Sequence, residues 1–107
     1  MYWDIKKADT YTLYSPLKRD ENNFISALNF IDLSANNIID ASKIAFTESV
    51  KLALSNCNEA HFEVHKSFVV VIGKMLSVSD LGELFVVVPS ISEAIDYIYM
   101  EELEKNL

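Results

Sequence analysis

The sequence predicts one α/β domain spanning residues 1–107, with a mixed β-sheet of about five strands and two main helices packed on it. Three observations carry that prediction. Two β-branched runs without polar alternation, 68–72 and 84–88, read as strands covered on both faces. Phe46, Val50, Ala53, Leu54, Cys57, Ala60, His61 and Val64 recur at steps of three and four, the spacing of one helix face. Ser90-Ile91-Ser92-Glu93 then forms a capping box, in which the Ser90 hydroxyl accepts from the Glu93 amide at a helix start.

The remaining elements follow along the chain. Residues 2–7 and 10–15 are rich in aromatic, Thr and Ile side chains, and the break at Ala8-Asp9 makes them a hairpin. Pro16 ends the second run, and the polar stretch 18–23 predicts a loop with one helical turn. Residues 28–33 read as a short buried strand. After it, Ser34, Asn36, Asn37 and Asp40 supply side-chain oxygens suited to turns, and the long helix is expected to begin between Asn37 and Asp40. Residues 73–83 leave room for a loop with one turn of helix. The last helix, with Ile91, Ala94, Ile95 and Ile98 as its stripe and Tyr97, Met100 and Leu103 broadening it, should end near Asn106. The order is β-β-turn-β-α-β-β-α.

Composition narrows the function. Nine basic against sixteen acidic side chains give a net charge of −7, which repels phosphate backbones and anionic lipid surfaces, so neither nucleic acid nor membrane is an expected partner. Cys57 is the single cysteine, and the first residues lack the apolar run of a signal peptide; a reducing, cytoplasmic setting is expected. Gly73-Lys74 lacks the other residues of a phosphate-binding loop, so ATP binding and other cofactors are not expected. Cys57, His61 and His65 lie four residues apart and on one helix could face a soft metal. Packing is the stronger reading, because Cys57 and His61 fall on the apolar stripe and the helix frays toward His65. No pair of groups has the makings of a nucleophile and its base, and no enzyme is expected.

The stretch 32–43, Asp-Leu-Ser-Ala-Asn-Asn-Ile-Ile-Asp-Ala-Ser-Lys, resembles the signature of STAS domains, the sulfate-transporter and anti-sigma-factor-antagonist family, in which Asp-Leu-Ser leads into Ile-Asp-Ser-Ser-Gly at a helix start. Leu81-Gly82-Glu83-Leu84-Phe85 is similar to the family's Leu-Asp-x-Leu-Phe, and Val88-Pro89-Ser90 with Glu93-Ala94-Ile95-Asp96 to its closing strand and helix. The ending Met100-Glu101-Glu102-Leu103-Glu104 resembles those of STAS-like proteins of the Bacteroidota. The similarity runs from about Leu28 to Leu107, and the preceding hairpin fits the family's opening.

The resemblance implies a regulatory module that binds a protein partner, an anti-sigma factor or related kinase. It makes Ser42 the candidate phosphoacceptor and Asp40, Ala41, Ser42 and Lys43 the candidate interface. A phosphate there adds about −1.5 to −2 charge, which would switch docking. Ala41 and Lys43 depart from the family's serine and glycine, and the helices between strands look trimmed. A STAS-like structural partner or homo-oligomer without the switch is the alternative.

Overall fold

The computed structural model describes residues 1–73 and 84–106. Five strands, β1 (Trp3–Lys7), β2 (Thr12–Pro16), β3 (Asn37–Asp40), β4 (Phe68–Val71) and β5 (Val86–Val88), form one sheet in sequence order. β1 pairs antiparallel with β2, and every later neighbour pair is parallel. Helices α1 (Glu21–Ala27) and α2 (Glu48–Glu63) cover one face, and α3 (Ile91–Lys105) covers the other. Right-handed crossovers that step one way across a sheet leave their helices on one face. α3 follows the last strand and is free to fold beneath the opposite one.

The two cores differ in chemistry. Beneath α1 and α2, Trp3, Tyr14 and Phe24 meet edge to face, and the indole N–H donates to the Ala27 carbonyl at 3.0 Å. Ile39, Val70, Val50 and Leu54 extend this core. Beneath α3 it is aliphatic: Leu13, Ile38, Val69 and Val71 against Ala94 and Ile98. β4 is buried on both sides, as its unbroken β-branched run requires.

Four expectations are corrected. The stretch after Pro16 is a two-turn helix, because Asp20 caps the amides of Asn22 and Asn23. Residues 28–33 are not a strand: α1 runs into a 3-10 turn, Leu28–Phe30, and Asp32 then accepts from the amide and hydroxyl of Ser34. The strand is 37–40 instead, where a helix start was expected. α2 begins at Glu48, where Thr47 accepts from the Val50 amide. In α3, Met100 and Leu103 stay largely exposed instead of widening the stripe, whereas Tyr97 packs against it.

Other expectations hold. The hairpin, both β-branched strands and the Ser90 cap are present, the Glu93 amide donating to Ser90 Oγ at 3.2 Å. α3 ends with Asn106 as its cap residue. The expected turn within 73–83, and most of the Leu81-Gly82-Glu83-Leu84-Phe85 motif, lie outside the described residues.

Candidate functional site: the loop from β3 to α2

The carboxyl ends of β2, β3, β4 and β5 point the same way, and the chain leaves β3 there through residues 41–47. Such ends are where open parallel sheets present their loops for binding. Asp40 closes the strand and its Oδ1 accepts twice from Ser42, from the amide at 3.1 Å and from Oγ at 2.6 Å. That turn leaves Ser42 and Lys43 facing solvent. Ala41 is fully buried, its amide donating to the Val71 carbonyl at 2.9 Å, and Ile44 packs into the core behind it. Of the four candidate interface residues, the fold therefore presents Asp40, Ser42 and Lys43, and turns the Ala41 methyl inward.

Gly73 supports the loop from below. A Cβ on it would stand 3.1 Å from the Ser42 carbonyl oxygen, a contact few Cβ atoms make, so a glycine lets the loop rest on the end of β4.

The start of α2 adds residues that the sequence reading passed over. Thr47 also donates through its hydroxyl to the Glu21 carboxylate, tying the starts of α1 and α2 together. Glu48 pairs with Lys51 at 3.2 Å. The exposed serine in the helix's first turn is Ser49, seven positions beyond Ser42. The available signal was Thr47-Glu48-Ser49-Val50, a capping threonine ahead of an apolar position. The side-chain oxygens of Ser34, Asn36, Asn37 and Asp40 drew the expected helix start forward.

The three metal-ligand candidates do not converge. His61 is fully buried, with Nδ1 2.7 Å from the Cys57 carbonyl and Nε2 2.9 Å from Asn37 Nδ2. A carbonyl only accepts, so Nδ1 carries the proton and Nε2 accepts from Asn37. Burial holds the imidazole below its ordinary pKa and pushes the Cys57 thiol up to about 11. His65 lies past the end of α2, with a left-handed φ of 59°. Among the described residues no three His, Cys, Asp or Glu side chains gather to hold a metal. No described helix is long and apolar enough to cross a membrane.

No protein-family model matches the chain, and no curated protein is found to be similar. Solved structures do match. RsbS from Moorella thermoacetica, in a variant with one serine replaced by glutamate, superposes with a TM-score of 0.68 at 18% identity, covering 92% of this chain and 96% of that one. The protein TM1081 gives 0.65 at 16% identity, over 92% of this chain and 89% of that one. A five-stranded mixed sheet with this helix arrangement, matched over nearly the full length of both structures, gives the chain the STAS-like fold of the anti-sigma-antagonist proteins.

Proposed function

We propose that this chain is a non-enzymatic regulatory module that docks a protein partner, an anti-sigma factor or a related kinase, through the β3–α2 loop and the first turn of α2. The observation that carries the reading is the exposure of Ser42 and Lys43 on the loop and of Glu48 and Ser49 in the first turn of α2, at the carboxyl end of the sheet, in the fold it shares with RsbS. Phosphorylation would act on this surface in one of two ways. On Ser42, a dianion would sit against the Asp40 carboxylate that now accepts from that residue's amide and hydroxyl, and would break the turn. On Ser49, it would meet the positive dipole end of α2, beside the amide that Thr47 caps, and be held there. The resemblance points to Ser42; the position of the helix start favours Ser49.

A pull-down with the wild-type chain as bait, joined to intact-mass analysis of the endogenous protein, tests the proposal. Capture of a kinase-like ATPase or sigma-regulating protein, with a phosphate-sized mass shift lost in Ser42→Ala, supports the Ser42 switch; loss in Ser49→Ala moves the acceptor to the helix. Ser42→Asp should then weaken capture while leaving the fold intact. A second reading, a STAS-like structural partner without a switch, is favoured by the burial of Ala41 and by Lys43 beside Ser42. Unmodified protein that captures no such partner supports it.

A further inference from the structure

Among the described residues the outer edge of β1 carries no strand, and its backbone polarity can be read from the hairpin. The Leu17 amide donates to the Tyr2 carbonyl at 2.9 Å, and the Ala8 amide to the Tyr11 carbonyl at 2.8 Å. Hydrogen-bonded pairs alternate along an antiparallel ladder, so Tyr2, Asp4, Lys6 and Ala8 turn their amides and carbonyls toward β2. Trp3, Ile5 and Lys7 turn theirs outward. The same alternation explains how Pro16 is tolerated opposite Trp3, a position where no amide is needed.

We propose that this edge pairs antiparallel with β1 of a second copy of the chain, about a two-fold axis at Ile5. In that register Ile5 faces Ile5, and Trp3 faces Lys7, in hydrogen-bonded pairs that satisfy all the outward amides and carbonyls of the three residues. Asp4 then stands opposite Lys6 of the second copy, and Lys6 opposite its Asp4. Both are non-hydrogen-bonded pairs, the kind whose side chains approach most closely. Moving the register by two residues sets Asp4 against Asp4 or Lys6 against Lys6, so charge selects a single register. Asp4, Ile5 and Lys6 are exposed, and Asp4 and Lys6 have no ion pair among the described residues. An isologous pairing of this kind uses up the edge and closes, where pairing β1 to the three-residue β5 would propagate. The interface is small, so association is expected only toward about 1 mM. This surface is separate from the β3–α2 loop, and the inference stands whichever serine is modified.

Sedimentation of the full chain up to about 1 mM tests it. The wild type should dimerise. Asp4→Lys and Lys6→Asp should each weaken association by about tenfold or more, and their equimolar mixture should recover it as a heterodimer, because Lys faces Asp at both pairs. At about 1 mM, exchange of the Ile5 amide should slow about twofold relative to dilute protein, and should not change with concentration in Asp4→Lys, with the β1–β2 ladder protected in both. A wild-type monomer across the range, dimers that persist in both charge variants, or a mixture that stays monomeric would each overturn the proposal.

Discussion

The two ends of β3 carry similar small polar residues and put them to opposite uses. At its start, Asn36 is locked on every side: Nδ2 donates to the Thr10 carbonyl at 3.0 Å and to Glu102 at 2.8 Å, and Oδ1 accepts from the Ser67 amide at 2.9 Å. Asn37 donates to His61 and to the Asp32 carbonyl at 2.7 Å, at zero exposure. These bonds reach from β3 to both helical layers. At the strand's other end, among the described residues, the Asp40 and Ser42 side chains bond only within their own turn, at the surface. Polar groups buried in long-range contacts hold a fold, and those engaged only locally at the surface are free to meet a partner.

The sharpest way to break this contrast is Asn37→Ala. It strips the buried His61 Nε2 and the partly buried Asp32 carbonyl of their donor, and should cost about 2–4 kcal/mol in urea unfolding. A loss as small as that of a surface variant would show that the buried pair is not structural.

Acid offers the next test. The His61 imidazole is held neutral in the fold, so the unfolded chain binds its proton first as pH falls. The stability it contributes is whole above the unfolded value near 6.5, and declines below it by up to about 1.4 kcal/mol per pH unit until the folded form also protonates. Denaturant midpoints between pH 7.5 and 5.5 should show that slope (about two pH units), and His61→Gln should remove it.

A smaller gain is expected at His65. The Lys66 amide donates to the His61 carbonyl at 2.9 Å and the His65 amide to Phe62 at 3.1 Å, the double closure that ends helices at a left-handed residue, usually glycine. His65→Gly should raise stability by about 0.5–1 kcal/mol, read as a higher Tm. At the loop end, Ser42→Ala and Ser49→Ala should each change stability by less than about 0.5 kcal/mol. A larger loss would make that surface structural and blunt the comparison.

Much of the fold was legible because it rests on local pattern. The runs at 68–72 and 84–88 read as strands and hold strands at 68–71 and 86–88, and Ser90 starts a helix as expected, since each signal is complete within a few residues. The errors cluster around β3. Asn36 and Asn37 read as turn residues, and in isolation they would be; their burial depends on His61, Ser67 and Glu102, at separations of 24, 31 and 66 residues. In the acidic run near the end of α3, Glu102 has the same kind of explanation, accepting from Asn36, whereas Glu101 accepts locally from Tyr97.

The sequence by itself determined the class of this protein: an apolar interior, a mixed sheet, an acidic composition and a signature at 32–43 that pointed to the STAS fold. Only the tertiary structure decided which part of that signature is strand and which is loop. Hydrophobic period and caps act over three or four residues and are written in order along the chain. The bonds that pull Asn37 into a sheet, and leave Ser42 in water and Ser49 on the helix, exist only once distant segments have met.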